Sequence, residues 1–321
     1  MLPMSKIVSK KMCFIIDPIE TLDPKKDTTI ALIEAAQNKG FAVFCTTPSE
    51  LVIKNNTVYA NCFQIKYIDY LQSNWYQLIE SVNVIALNDF ETVWMRKDPP
   101  FDLDYIYSTY VLEFAIANGA RVRNNPTTLR NYNEKLSTLL FKQYIPETLV
   151  SASSKEIKSF IAEYGKVVIK PMDSMGGTSV FLVGKDDVNQ SVIIETITNL
   201  ESRHVMVQKF IPEIQKGDKR VLIINGQPYA YGLARIPKTG DFRGNLAKGA
   251  SPVGFELNTK EKEIAATVGQ FLLKNRVVFA GIDIIGSYLT EINITSPTCV
   301  RELQTLYKHD LASEIIEAGL F

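Results

Sequence analysis

The chain is 321 residues long, carries 35 lysines and arginines against 35 aspartates and glutamates, and is 46% apolar. That length holds about two domains at roughly 150 residues each, and the apolar content suffices for a core that needs no staples. Zero net charge removes the electrostatic footprint of a general nucleic-acid or anionic-membrane binder, while two histidines with no HExxH and no GxSxG argue against zinc hydrolases and a Ser-His triad.

Three lysines, Lys6, Lys10 and Lys11, precede the apolar run Met12 to Ile16, which is too short for a signal sequence. No segment reaches the roughly 18 apolar residues of a membrane span. Cys13, Cys45, Cys62 and Cys299 are scattered without a CxxC pair and read as reduced core thiols, so the expected location is the cytoplasm.

In chain order, Met12 to Ile16 is a strand, Thr28 to Lys39 a helix stopped by Gly40, and Phe41 to Thr46 the next strand. Leu51 to Lys54 and Thr57 to Ala60 flank Asn55-Asn56, a hairpin turn. Tyr70 to Ser81 and Asp102 to Asn118 have helical spacing on either side of a strand at Thr92 to Arg96, and Arg121 to Arg123 is a further strand. This alternation predicts a parallel α/β sheet. Asn124 to Thr128 is turn-rich and is taken as the domain linker.

Beyond the linker, Thr128 or Asn131 can cap a helix running to Gln143, and Ser153 to Tyr164 is another helix. Lys166 to Lys170, Val180 to Val183, His204 to Phe210, Arg220 to Ile224 and Pro228 to Arg235 are strands, the last two joined by Asn225-Gly226, and short turns make them antiparallel. Lys238 to Pro252 is glycine-rich and reads as a mobile loop.

Three blocks carry the chemistry. In the first, a strand ends at Lys170 and a turn at Gly176-Gly177 follows, so backbone N–H groups can close over anionic oxygens that the ammonium neutralises; a plain hairpin with a surface lysine is the alternative. It matches neither a Walker A loop nor a dinucleotide fingerprint. In the second, Glu291 and Asn293 leave one face of a strand, and a turn at Gly286-Ser287 returns Asp283 toward them. A three-residue turn would set Asp283 opposite Glu291 and a two-residue turn would offset the pair, and both remain open. Hard oxygen donors favour Mg²⁺ with a phosphate-bearing substrate, and paired lysines or arginines would serve the same acids without a metal. The third block is the arginine series Arg220, Arg235 and Arg243, whose planar forks match carboxylate and phosphate if they converge. Arg96 stands at a strand end before Pro99-Pro100, where open α/β sheets hold ligands. His204 and His309 read as structural.

Taken together, Ile15-Ile-Asp17-Pro, Lys25-Lys26-Asp27, Met95-Arg-Lys-Asp-Pro-Pro-Phe101, Asn133-Glu-Lys135-Leu, Lys170-Pro-Met-Asp-Ser-Met-Gly-Gly177, Gly217-Asp-Lys-Arg-Val-Leu222, Leu233-Ala-Arg-Ile-Pro237, Arg243-Gly-Asn-Leu246 and Leu289 to Thr298 closely resemble bacterial-type glutathione synthetase, a family of the ATP-grasp superfamily. The likeness runs from about Met12 nearly to the C-terminus. It implies an α/β domain over residues 1–127, a lid lobe over 128–210 and a metal-bearing lobe over 211–321. The implied reaction joins γ-glutamylcysteine to glycine at the expense of ATP through an acyl phosphate. By the same resemblance Lys135 and Lys170 contact phosphates, Gly176-Gly177 belongs to a closing loop, and Gln208, Lys209, Phe210 and Ile211 hold adenine, with Asp218 also on the nucleotide side. Asp283, Glu291 and Asn293 would bind Mg²⁺, with Mn²⁺ as the alternative. Lys26, Arg96, Arg220, Arg235, Arg243, Asn245 and Ser296 would surround the dipeptide, with Arg220, Arg235 and Lys170 closest to the chemistry. A homo-oligomer, dimer or tetramer, is implied, and no nucleic acid or membrane. Residues 1 to about 11, Ser174, and Ala250-Ser-Pro-Val253 depart from the family pattern. A related ligase with other substrates, or a nucleotide-binding regulatory module without turnover, are the competing expectations.

Overall fold

The computed structural model describes residues 10–321 apart from Ser73, Ser174, Ala247 and Lys248, so the features read at Lys6, over residues 1–9, at Ser174 and at the Ala247-Lys248 part of the expected closing loop lie outside the described residues. Three sheets organise the chain. The first is built from β1 (Lys11–Ile15), β2 (Ala42–Thr46), β3 (Leu51–Lys54), β4 (Thr57–Tyr67), β5 (Tyr76–Ala86), β6 (Thr92–Met95) and β7 (Val122–Arg123), in the order β3-β4-β2-β1-β6-β7 with β5 on the other side of β4. Its centre, β2-β1-β6-β7, is parallel, as the alternation of strands with α1 (Thr28–Asn38) and α2 (Leu103–Ala117) requires. Asp27 and Asp102 cap these helices through their carboxylates. Asn55 and Asn56 take positive φ of 50° and 60°, the conformation of a two-residue hairpin.

The helix expected over Tyr70 to Ser81 is absent. Residues 76–86 are instead β5, an eleven-residue strand antiparallel to β4, with Tyr67 opposite Tyr76. The spacing of Tyr70, Leu71, Trp75, Leu78 and Ile79 imitates a helical stripe, but only Trp75 of these is buried, and long-range pairing overrides the local pattern. The expected linker also begins a helix: Asn125 caps α3 (Pro126–Asn131), and residues 136–144 form kinked 3₁₀ turns rather than one helix to Gln143.

The second sheet has the order β10-β9-β11-β8, from β8 (Thr148–Ser151), β9 (Lys166–Pro171), β10 (Phe181–Gly184) and β11 (Val205–Lys209), covered by α4 (Ser154–Tyr164) and α5 (Gln190–Ile197). The third, β14-β13-β12-β15-β16, comprises β12 (Asp218–Ile224), β13 (Gln227–Ile236), β14 (Ser251–Glu256), β15 (Phe279–Ile285) and β16 (Tyr288–Asn293), with α6 (Thr259–Lys274), α7 (Val300–Tyr307) and α8 (Leu311–Ala318) around it. Both sheets are antiparallel throughout.

The cores divide differently from the sheets. Ile157, Ile161, Ile169, Val183 and Val207 form a core private to the second sheet and its helices. The first and third sheets share theirs: Cys13 and Met95 belong with Ile282 and Ile292, and α8 places Ile315 and Ile316 with Phe14 and Trp94. The second sheet is therefore a lobe with its own apolar interior, standing against a larger body made by the two ends of the chain. Among the described residues no helix is long and apolar enough to cross a membrane. All four cysteines are buried and unpaired, and burial pushes Cys45 well up and Cys62 up to about 11.

Candidate active site

A cleft of about 460 Å³ lies where the second sheet faces the third and the β1 and β6 ends of the first. Its apolar end is made by Val168, Val180, Ile211, Ile214 and Ile285, a slot suited to a planar ring. Gln208, Lys209 and Phe210 border it at the exit of β11. Gln208 is buried, its amide donating to Thr148 Oγ1 at 3.0 Å.

Farther in, charge takes over. The Gly286-Ser287 turn contains two residues, yet Asp283 stands directly opposite Glu291, because a bulge leaves Thr290 unmatched between Leu289 and Glu291. The bulged Thr290 donates its hydroxyl to the Asp283 carbonyl at 3.1 Å. β12 sets Arg220 opposite Asp283 on the neighbouring strand. Its guanidinium takes Asp283 in a fork of 2.5 and 2.9 Å, and Arg235, from β13, reaches the same carboxylate at 3.0 Å and Asp218 at 2.6 Å. Burial alone would raise the Asp283 carboxyl, but the two arginines outweigh it and hold Asp283 below the ordinary carboxylate range. Asp218 goes the other way: burial dominates Arg235 and lifts it to about 7, and one of its carboxylate oxygens is buried without a partner.

Lys170 at the end of β9 is buried, donates to the Thr290 carbonyl at 3.2 Å, and lies 4.0 Å from Glu291. Desolvation lowers its pKa despite Glu291. Lys135 stands 3.7 Å from the same Glu291 oxygen. Asn293 donates to Asp283 at 3.3 Å. Three carboxylates, an amide and four buried cations, Lys170, Arg220 and Arg235 from three strands and Lys135 from a turn, thus converge on one volume. Among the described residues no three His, Cys, Asp or Glu side chains gather as a ready metal cage. The set Asp283, Glu291 and Asn293 still fits a hard divalent ion, which takes one or two carboxylates and completes its shell with phosphate and water.

Two loops meet over this region. Gly176 and Gly177 both take positive φ, and the Cβ position of Gly177 lies 3.7 Å from Arg243 and 3.8 Å from Asn245. Arg243 is held by Asp241 in its own loop, and that pairing presses Asp241 down to about 2. Ala250 donates its N–H to the Asn245 carbonyl before β14 begins.

Of the residues singled out in the sequence, Lys26, Ser296, Asp218 and all the strand and loop residues above line the cleft, whereas Arg96 does not. It is buried behind the wall, bonded to Thr29 Oγ1 at 3.1 Å and to the Pro297 carbonyl at 2.9 Å, and so braces the segment bearing Ser296. Several lining acids escaped the sequence reading. Glu134 accepts from the Ile294 and Thr295 backbone and the Thr295 hydroxyl, tying the Lys135 segment to the end of β16. Asp27, Asp98 and Glu302 form the far wall. The blocks that contain Asp27, Asp98 and Glu134 were visible as motifs, but nothing in their spacing singles out these members.

A model of the prokaryotic glutathione synthetase N-terminal domain matches residues 11–130, and a model of that family's ATP-grasp domain matches residues 134–308. The chain is 43% identical over 308 residues to the glutathione synthetase of Shewanella oneidensis, covering 96% of this chain and 97% of that one. It is 44% identical over 297 residues to that of Yersinia pestis, covering 92% of each. Among solved structures, D-cycloserine synthetase DcsG superposes with a TM-score of 0.69 at 12% identity over 97% of this chain and 98% of that one. The ATP-grasp ligase PsnB complexed with minimal precursor gives 0.63 at 16% over 97% and 99%. At such identities the two structures speak to the fold alone.

Proposed function

The chain belongs to the prokaryotic glutathione synthetase family, an ATP-grasp ligase whose activity is ATP-dependent glutathione synthesis, and from that premise we propose how its cleft divides the work. The apolar slot beside Gln208 to Ile211 takes adenine, and Lys135 and Lys170 take the phosphates. What supports this order is the passage from apolar walls to buried ammonium groups along one cleft. Asp283, Glu291 and Asn293 hold the divalent cation, Mg²⁺ by preference with Mn²⁺ as substitute, and when bound it screens the charge of the phosphate oxygens.

The terminal carboxylate of γ-glutamylcysteine forms a bond to the γ-phosphorus of ATP while the β–γ bridging bond breaks and ADP leaves. The glycine amine then bonds to the activated carbonyl carbon, losing a proton, and inorganic phosphate departs. Arg220 and Arg235 orient the carboxylate and carry the charge that develops on it. Two unit charges 4 Å apart interact by about 4 kcal/mol at an effective dielectric of 20, enough for a few such cations to bring two anions together. Gly176-Gly177 and the Arg243 to Gly249 loop close over the cleft and keep water from the acyl phosphate. Ser296 and Lys26 sit on the dipeptide side, Asp218 on the nucleotide side, and Arg96 acts through the Ser296-Pro297 segment rather than by contact.

The single observation that carries this assignment is the convergence of Arg220, Arg235, Lys135 and Lys170 on Asp283 and Glu291. Titrating Mg²⁺ into an ADP-formation assay tests it: the wild type should saturate, and Glu291→Ala should show no metal-dependent rate while remaining folded. Full activity in that variant removes Glu291 from the metal site.

We place the domain boundaries at residues 127 and 210 and the protein in the cytoplasm, the latter supported by its four unpaired thiols. A homo-oligomer is proposed as well. Leu103, Tyr107, Tyr110 and Phe114 follow one another at steps of four, three and four along α2, and they are 47% to 67% exposed. That is the seam spacing of paired helices. A twofold axis would set Leu103 against Phe114 and Tyr107 against Tyr110 of a second copy, which makes the stripe self-complementary.

A further inference from the structure

Glu291 and Asn293 stand on β16, and β16 is the edge of its sheet. β15 pairs with one side of it only, so the backbone groups on the outer side need partners from elsewhere. Thr290 and Ile292 in the strand and Ile294 just past it present those groups at steps of two, as one side of an extended chain must. Lys170 donates to the Thr290 carbonyl at 3.2 Å. The other two are both taken by Glu134: its backbone carbonyl accepts from the Ile292 N–H at 2.9 Å, and its carboxylate Oε1 accepts from the Ile294 N–H at 2.8 Å. The same Oε1 accepts from the Thr295 N–H at 3.0 Å and from the Thr295 hydroxyl at 2.8 Å. Asn133 secures the neighbouring side. Its Nδ2 donates to the carbonyl of Met172, two residues beyond Lys170, at 2.9 Å, and its Oδ1 accepts from the Lys135 and Leu136 N–H groups at 3.0 Å each.

Lys135 follows Glu134 directly in the chain and stands 3.7 Å from Glu291. The residue that braces the outer edge of β16 is therefore also the one that carries Lys135 to its place. Resting on the function proposed above, we propose that Glu134 is a positioning residue of the ligation: it fixes β16 against Lys135, and so fixes where the cation held by Glu291 and Asn293 meets the phosphates. This role needs an acceptor oxygen rather than a negative charge. Burial pushes the Glu134 carboxyl up while the Thr295 and Ile294 donors pull it down, so a neutral amide of the same shape can stand in for it. A carboxylate that touched the cation or the substrate itself would not tolerate that replacement.

The test is the Mg²⁺ dependence of ADP formation in Glu134→Ala, Glu134→Gln and Thr295→Val. A displacement of about 1 Å in a catalytic constellation can cost a hundredfold in rate, so Glu134→Ala should lower kcat by about ten- to a hundredfold and raise the Mg²⁺ concentration for half-maximal rate by about tenfold. Inhibition by adenosine, which fills the apolar slot and carries no phosphate, should hold within about twofold. A variant that only folds less well loses rate in proportion to its active fraction, so a lower kcat at an unmoved Mg²⁺ requirement overturns the proposal. Glu134→Gln keeps the acceptor oxygen and should stay within about threefold of wild type in both quantities. A glutamine variant as impaired as the alanine one means that the charge acts on a ligand directly, and overturns it too. Thr295→Val, the milder change, removes one of the three donors and should raise the Mg²⁺ requirement by about two- to tenfold. In the double variant with Glu134→Ala it should add nothing further, and additive losses would show that Thr295 acts by another route. A wild type that forms no ADP from Mg-ATP with γ-glutamylcysteine and glycine would instead overturn the underlying function, and the positioning role with it.

Discussion

The two acids assigned to the metal should behave alike in catalysis and unlike in stability. Asp283 is buried and makes three contacts of 2.5 to 3.0 Å with Arg220 and Arg235, both buried themselves. Glu291 faces Lys135 and Lys170 at 3.7 and 4.0 Å from a side chain 28% exposed. Removing one partner of a buried ion pair strands the other charge and costs about 3–5 kcal/mol, whereas a looser, partly solvated pair is worth about 0–1 kcal/mol. Since domains are stable by only about 5–15 kcal/mol, the first is a large fraction of the whole and the second is not. Asp283→Asn should therefore lower unfolding free energy by about 3–5 kcal/mol and Glu291→Gln by about 1 kcal/mol or less. Both would lose metal-dependent turnover. Urea unfolding followed by circular dichroism, without nucleotide or metal, measures the contrast. Equal losses in the two variants would refute the ion-pair reasoning.

Other outcomes follow from particular contacts. A Cβ on Gly281 would lie 2.8 Å from Arg220 Cδ and 3.3 Å from its Nη1, so Gly281→Ala should displace the guanidinium and lower kcat/KM for the dipeptide by about ten- to a hundredfold at unchanged ATP affinity; unchanged dipeptide kinetics would mean that Arg220 has no such role. Asp218 titrates near 7 in the folded chain against about 4 unfolded, so its contribution to stability is full below pH 4 and is lost as pH rises to 7. Asp218→Asn should flatten that part of the stability–pH curve, and an identical slope in the variant would contradict the assignment. Asp283, held low, acts in a separate window: its contribution is present above about pH 4 and is lost only as pH falls below that. Replacing Tyr107 and Tyr110 together by glutamate should shift sedimentation to the monomer with the fold retained, and an unchanged oligomer would clear α2 of that role.

The sequence exposes what is local and repeated. The βαβ opening, the Asn55-Asn56 and Asn225-Gly226 turns and the caps at Ser153 and Gly40 depend on neighbours in the chain, and each stands where its residue types require. What depends on distant partners was illegible. β5 mimics a helix because its apolar residues face outward and only its pairing with β4 makes it a strand. The facing of Asp283 and Glu291 required a bulge at Thr290, which a two-residue turn alone would not provide. The short β8 and α5, to which the sequence reading assigned no element, exist because they complete the separate core of the second sheet. In the site, the cationic members stand in motifs that the sequence displays, whereas the burial of Arg96 against Thr29 and Pro297 depends on partners distant in the chain. A strand-end arginine reads the same from sequence whether it faces ligand or braces the wall.

The most direct test of the account is phosphate release from Mg-ATP by purified protein, with γ-glutamylcysteine and glycine each present or omitted and the product identified by mass. The account predicts release that needs both substrates and yields glutathione. ATP bound without turnover under every condition, or release with no glutathione formed, would contradict it.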